Sequence, residues 1–159
     1  MEKCTTYVGL DVHKNSIAVA FADEGRDGEV RRYGTINSNL ASLDKLTRRL
    51  VSQRREPRFV YEAGPCGYEI YRHLRKQGFE CTVAAPSLIP RKSGDRIKND
   101  RRDAMMLARL FRAGELGPVY VPRSEDEAMR DLSRAREDAK RAERKARQQL
   151  NAFLLRHGH

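Results

Sequence analysis

Two short runs of β-branched and aromatic residues open the chain. Residues 7–13 and 17–21 are mostly apolar, and the polar residues between them predict a hairpin turn. Residues 29–36 alternate weakly between apolar and polar side chains, which predicts a third antiparallel strand. Because apolar residues surround Asp11, the first strand is expected to be central and well buried.

Helices and strands alternate in the pattern that follows residue 37. Asn37, Ser38 and Asn39 are suitable capping residues for a helix over 40–51, whose apolar positions share one face. Further elements are predicted as a strand at 59–61, a helix at 68–77, a strand at 79–84 and a helix at 104–114. Three strands followed by alternating helices and strands predict an α/β domain with a mixed sheet and flanking helices.

The longest predicted element is a highly charged helix from Ser124 to about Arg156. Ser124 and Glu127 have the spacing of a capping box. The helix has a thin apolar stripe at near-heptad spacing, which predicts self-association into a homo-oligomer or docking of a further domain. This stripe comprises Met129, Leu132, Ala139, Ala146, Leu150 and Phe153. The predicted organisation is a domain at 1–116, a linker at 117–123 and the long helix at 124–159.

The charge of the chain favours a polyanionic partner. Its 159 residues carry a formal net charge of +10, and nucleic acid is the partner that such a charge favours. No run approaches the roughly 20 apolar residues of a membrane-spanning helix, and the N-terminus lacks the apolar segment of a secretory signal. Three scattered cysteines without a CxxC pair fit a reducing compartment. We therefore expect a cytoplasmic protein with no membrane partner.

Four acidic residues occupy positions suited to metal binding. Asp11 lies in the first strand, and Glu62 ends a later strand, where ligands bind in open α/β sheets. Asp100 and Asp103 are three residues apart at a predicted helix start, so both project from one face. Four hard oxygen ligands can hold two divalent ions, an arrangement used for phosphodiester chemistry. Two simpler interpretations stay open: Asp11 begins a turn, and the later pair complements the helix dipole.

Cationic residues surround the later pair of acids, which is a sensible setting beside a phosphate backbone. The basic segment before the helix leads towards the same acids, and two polar residues directly follow Asp11. The predicted nucleic-acid contacts are His13, Lys14, Arg91, Lys92, Arg96, Lys98, Arg101 and Arg102. For His13 and Lys14, a polar turn without ligand contact is an equally good interpretation.

Several segments together resemble one family. They are YVGLDVHK at 7–14, YEAGPCGY at 61–68, APSLIP at 85–90, KNDRRDA at 98–104, VYVP at 119–122 and RARE at 134–137. In these segments the chain resembles the N-terminal domain of the DEDD transposases of the IS one-ten insertion-sequence family, relatives of the Piv DNA invertases. Asn99 stands where threonine is commoner in that family, a departure that leaves the acids intact.

The resemblance implies a RuvC-like, ribonuclease-H-type fold followed by a coiled-coil-like helix. It implies an Asp-Glu-Asp-Asp quartet that binds Mg²⁺ (or Mn²⁺), and the quartet falls on Asp11, Glu62, Asp100 and Asp103. The implied activity is DNA transposition by an enzyme that recombines DNA and, as the resemblance allows, uses a guide RNA. Members usually continue into a domain with a serine nucleophile. This chain ends at His159, so we expect a fragment or truncated product that is incomplete as a recombinase.

Two other functions compete with this one. The first is a truncated nucleic-acid-binding module without independent catalysis, in which the acids only position metal and backbone. The second is a sugar kinase or actin-like ATPase, since those proteins also open with an acid in the first strand and a hairpin. Their hairpin turn binds phosphate through glycine, whereas residues 13–16 contain none. This difference disfavours the kinase interpretation.

Overall fold

A computed structural model describes residues 4–25, 27–89 and 100–158, with the backbone alone covered at 100–102. The strands are β1 (Cys4–Val12), β2 (Ser16–Asp23), β3 (Val30–Asn37), β4 (Arg55–Glu62) and β5 (Glu80–Ala84). The helices are α1 (Leu40–Ser52), α2 (Glu69–Lys76), α3 (Asp100–Ala113) and α4 (Ser124–Arg156), with a 3-10 turn at Pro86–Leu88.

The five strands form one mixed sheet in the order β3-β2-β1-β4-β5. β1 pairs antiparallel with β2, which pairs antiparallel with β3. On its other side β1 pairs parallel with β4, and β4 pairs parallel with β5. β1 is thus the central strand, as predicted, and Val8 and Leu10 within it are fully buried. The predicted hairpin, mixed sheet and flanking helices are confirmed.

Helices α1 and α2 have the buried faces that their apolar spacing predicts. The Asn39 side chain accepts a hydrogen bond from the Ser42 backbone N–H at 2.8 Å, which confirms the predicted cap of α1. Leu43, Leu46 and Leu50 are buried in α1, and Ile70 and Leu74 are buried in α2. The prediction was wrong for Val51. Its side chain is 52% exposed because the helix turns it off the buried face in the last turn.

Helix α3 packs directly on β1 because Gly9 has no side chain. A Cβ at Gly9 would lie 2.2 Å from the Ala104 backbone oxygen and 2.7 Å from the Ala108 backbone nitrogen. These two helix alanines also belong to a buried cluster with alanines of β2. Small residues on both surfaces thus let helix and sheet approach closely.

Residues 121–159 form a unit separate from residues 1–120. Helix α4 contains 33 of these residues, and it has no buried residue. The predicted capping box is wrong, because Ser124 is the first residue of the helix and Arg123 occupies the N-cap position without a side-chain hydrogen bond. The predicted apolar stripe is exposed where it is most hydrophobic, at Met129, Leu132, Leu150 and Phe153. Within the described ranges, none of the helices has the length and apolar composition that a membrane-spanning segment requires.

Candidate functional site

A cleft of about 670 Å³ opens at the carboxyl ends of β1 and β4. Asp11, His13 and Lys14 line it from β1 and the turn that follows, and Glu62 lines it from the end of β4. Leu10 of β1 is paired with Tyr61 of β4, so the two acids follow directly on neighbouring parallel strands. The structure thus brings two of the four predicted metal ligands to one cleft, together with the predicted nucleic-acid contacts His13 and Lys14.

The Asp11 carboxylate has one described partner, the imidazole of His13. Asp11 Oδ2 lies 3.0 Å from His13 Nε2, and the Asp11 side chain is 16% exposed. The interpretation of Asp11 as a turn residue is thereby weakened, because Asp11 lies within β1 and the turn begins two residues later. His13 was predicted to contact phosphate or to form a polar turn, and its contact with Asp11 was not predicted. The sequence feature that could have indicated the contact is the spacing of Asp11 and His13, which are two residues apart.

A buried tyrosine stabilises the turn after Glu62 through a hydrogen bond. The Tyr61 hydroxyl donates a hydrogen bond to the Gly67 carbonyl at 3.0 Å, and burial raises the pKa of this hydroxyl. Cys66 lines the cleft within the same turn, and burial raises the pKa of its thiol as well. Because a raised pKa disfavours the thiolate, Cys66 is a poor nucleophile. This positioning role of Tyr61 was not predicted from the sequence.

The other two acids belong to α3, whose N-terminal end points towards the same edge of the sheet. The Tyr7 and Phe111 rings are in contact, with centroids 5.5 Å apart, whereas Gly9 approaches Ala104. Residues further along β1 therefore contact positions nearer the start of α3. The helix thus begins near the level of Asp11. Asp11 follows Gly9 by two residues, so it faces the side of the sheet that α3 covers.

Glu62 has the same orientation. Val60, two residues before it, packs with Leu107 and Leu110 of α3, so strand alternation turns Glu62 towards α3. Asp103 is half-buried on that helix, while Asp100 is described by its backbone alone. Among the described side chains, no three acids, histidines or cysteines are grouped closely enough to hold a metal ion. Convergence of all four carboxylates stays a prediction.

Several predicted nucleic-acid contacts lie outside the described residues: Arg91, Lys92, Arg96 and Lys98. Arg101 and Arg102 lie in the first turn of α3, where the backbone alone is described. Lys14 is exposed at the cleft, in a position suited to an incoming anion.

Helix N-termini gather at this edge of the sheet. The Ser38 backbone N–H before α1 donates to the Asn15 carbonyl in the β1–β2 turn, and α2 begins after the turn that follows β4. The start of α3 lies at the same edge. Because helix N-termini carry partial positive charge, this edge favours carboxylates and phosphates.

A family profile described as a transposase, that of the DEDD transposases of IS110 type (IS one-ten above), matches residues 8–158. The chain belongs to the IS110 DEDD transposase family. This membership confirms the resemblance found in the sequence motifs.

Two curated transposases are similar to nearly the whole chain. The Sinorhizobium fredii protein y4qE, named as a transposase, is 52% identical over 152 residues, covering 96% of this chain and 39% of that protein. The Leptospira borgpetersenii transposase for insertion sequence element IS1533 is 39% identical over 155 residues, covering 97% of this chain and 44% of that protein. The IS110-family chain thus spans about two fifths of the length of these relatives.

Two solved structures of Thermus thermophilus RuvC show a distant likeness to this IS110-family chain. The first is 12% identical with a TM-score of 0.46, and the match covers 72% of this chain and 99% of RuvC. The second, RuvC in complex with a Holliday junction substrate, is 11% identical with a TM-score of 0.44 over the same shares.

Proposed function

We propose that this chain is the part of an IS110-type transposase that binds DNA and divalent metal for DNA transposition. One observation carries the proposal: Asp11 and Glu62, on adjacent parallel strands, line one cleft. Family membership supplies the reaction class. The proposed site comprises Asp11, Glu62, Asp100 and Asp103.

The chemistry of the acids fits Mg²⁺ or Mn²⁺. Both cations prefer hard oxygen ligands, and carboxylates supply them. Among the described side chains no lysine or arginine pairs with Asp11 or Glu62, which leaves Glu62 available as a ligand and Asp11 with only the His13 contact. A metal bound there would polarise a phosphodiester and activate a water or hydroxyl nucleophile. The four proposed acids would hold the ion, and the proposed cationic contacts would orient the phosphate.

Positive charge brings the polyanion to this edge. The formal charge of +10 supports DNA binding that weakens steeply as salt rises. Lys14 lies exposed at the cleft, and the other proposed contacts are His13, Arg91, Lys92, Arg96, Lys98, Arg101 and Arg102. A guide RNA is a further proposed partner. The exposed stripe of α4 is proposed to join copies of the chain into a homo-oligomer.

A metal titration of the Asp11→Asn variant tests the proposal. Binding of Mg²⁺ or Mn²⁺ to the folded state should raise the melting temperature of the wild-type chain, and the variant should lose most of that rise. Asp27→Asn is the matched control, because it removes the same charge from an exposed turn residue. Equal metal-induced shifts in the wild type and both variants would contradict a metal site at Asp11.

The second candidate function is nucleic-acid binding without independent catalysis. It is favoured by the formal net charge of +10, which attracts a polyanion without requiring catalysis. Incubating the chain with DNA and Mg²⁺ separates the two functions. Cleavage that Asp11→Asn abolishes supports the catalytic proposal, whereas salt-sensitive binding without cleavage supports the binding module.

A further inference from the structure

The apolar stripe of α4 has two gaps that charged residues fill. Its spacing is interrupted between Leu132 and Ala139 and between Ala139 and Ala146, and Arg136 and Glu143 lie at the interrupted positions. With these two residues, the positions follow one another at alternating steps of three and four residues. This is the spacing of a helix that packs against another helix. We call the six stripe residues together with Arg136 and Glu143 the seam.

The seam has a similar character at its two ends. Met129 and Leu132 lie near one end, Leu150 and Phe153 lie near the other, and all four are more than half exposed. Suppose that two such helices run in opposite directions with residue 141 of each at the same level. Leu132 of one copy then lies opposite Leu150 of the other, and Met129 lies opposite Phe153. Because large apolar side chains thus meet in the same layers, the seam favours a second copy of the chain as its partner.

The centre of the seam fits the same antiparallel alignment. Arg136 of one copy lies opposite Ala146 of the other, and Glu143 lies opposite Ala139. The small alanine side chains leave room for the long charged ones. Arg136 also lies one layer from Glu143 of the other copy, within reach of an ion pair that forms twice because the arrangement is symmetric.

A parallel pair would bring like charges together. In register, Arg136 would face Arg136 of the other copy, and Glu143 would face Glu143. Each of these layers would be repulsive, and neither charge would gain an opposite partner across the seam. On its own helix Glu143 forms an ion pair with Arg147 at 2.9 Å. That exposed pair contributes little and leaves the arginine layer unchanged. The direction of pairing is therefore set by the two charged positions.

We propose that the seam of α4 pairs antiparallel with the seam of a second copy. The inference rests on the homo-oligomer of the proposed function, and it adds the direction and register of pairing. The charges at the helix ends agree with it, because the first turn of α4 is acidic and Arg156 lies in the last turn. An antiparallel pair brings each acidic turn near Arg156 of the other copy, whereas a parallel pair brings two acidic turns together.

Disulfide cross-linking tests the direction. Leu132→Cys and Leu150→Cys, prepared with tags of different size and mixed under mild oxidation, should form a mixed dimer above the level of the wild-type chain. The cysteines of the wild-type chain supply that background. Each variant alone should stay at the background level. Leu155→Cys replaces an exposed leucine that lies off the seam, so it is the matched control and should not link to Leu132→Cys.

Charge reversal tests the register. Arg136→Glu places an acid next to Glu143 of the other copy and should raise the dimer dissociation constant about tenfold in sedimentation equilibrium. Adding Glu143→Arg to this variant should restore the affinity. In a parallel pair, Arg136→Glu would only exchange one like-charge layer for another. Arg134→Glu makes the same change of charge off the seam and should leave the dissociation constant close to that of the wild type.

The outcomes separate this inference from the oligomer on which it rests. A mixed disulfide between positions 132 and 150, without self-linking of either variant, supports both. Self-linking of Leu132→Cys would show a parallel pair and overturn the antiparallel direction while the oligomer stands. A wild-type chain that sediments as a monomer at every concentration, with no linkage above background, would overturn both. The seam would then serve another partner, such as the part of the longer relatives that this chain does not span. None of these results depends on Asp11, so the proposed metal site is tested separately.

Discussion

The two edges of the sheet carry acids of opposite character. At the carboxyl edge of β1 and β4, Asp11 contacts His13, and no described side chain pairs with Glu62. At the other edge, Asp23 forms ion pairs with Arg31 at 2.9 Å and with Arg55. Both edges thus hold half-buried carboxylates, but of these three acids only Asp23 is paired with an arginine among the described side chains.

Helix polarity reinforces this difference. The N-termini of α1 and α2 lie at the carboxyl edge, where their partial positive charge favours anions. Their C-termini lie at the opposite edge, among Arg54, Arg55 and Arg75 of a second cleft. Arginines there complement the negative ends of the helices. The arginine-lined edge is therefore a structural feature, whereas the acidic edge is the proposed ligand site.

At the opposite edge, Arg112 links α3 to the turn between β2 and β3 through hydrogen bonds. Its Nη1 donates to the backbone carbonyls of Asp23 at 3.1 Å and Gly28 at 2.5 Å. The C-terminal end of α3 is thereby attached to the turn between β2 and β3. The same helix begins near Asp11. Its packing on β1 therefore fixes the position of α3 at both edges of the sheet.

The largest expected effect on stability comes from disrupting the packing of α3 on β1. Gly9→Val should destabilise the fold by about 3 kcal/mol or more, because its Cβ would overlap backbone atoms of α3. Urea unfolding measures the loss. Gly64→Ala is the matched control, since a Cβ there meets nothing closer than the Glu62 backbone oxygen at 3.9 Å. Equal stabilities of the two variants would contradict the close packing of α3.

A smaller effect should distinguish the two edges. Asp23→Asn leaves Arg31 and Arg55 without their carboxylate partner. The free energy of unfolding should fall by about 2 kcal/mol. This loss is smaller than for a fully buried pair because the Asp23 side chain is 20% exposed. Asp11→Asn without metal should change stability by less than about 0.5 kcal/mol. Urea unfolding in a chelator checks both. The contrast between the edges fails if Asp11→Asn costs as much as Asp23→Asn.

The smallest effect concerns the contact between α1 and α2. Asp44 Oδ1 lies 2.6 Å from His73 Nε2, and this hydrogen bond, aided by Gln77, lowers the pKa of Asp44. A lowered carboxyl pKa stabilises the fold above the usual value of 3.8, and the stabilisation disappears as pH falls through the folded-state pKa. Wild-type stability should therefore fall more steeply below pH 3.8 than that of Asp44→Asn. Parallel stability curves would show that the contact contributes nothing.

Local patterns in the sequence predicted most of the fold. Alternation and apolar runs predicted the strands, and leucine spacing predicted the buried face of α1, because both patterns reflect the period of a single element. They failed at element ends, as Val51 and Ser124 show. There a shift of one residue changes which side chain is buried or caps the helix.

The candidate site was predictable only in part. Asp11 and Glu62 were identified because an acid at the end of an apolar run is unusual, and the structure places both at one cleft. The contact of His13 with Asp11 and the hydrogen bond from Tyr61 to Gly67 were not predicted. Both depend on side-chain directions that residue type does not specify.

The sequence by itself determined where strands and helices form, which faces are apolar and the family to which the chain belongs. Only the tertiary structure decided which acids are neutralised. Asp23 and Arg55 are 32 residues apart in the chain, and they pair because parallel pairing of β1 with β4 brings the start of β4 to the end of β2. The same strand order sets Asp11 beside Glu62. Charge pairing depends on distance in space, which local sequence patterns do not contain.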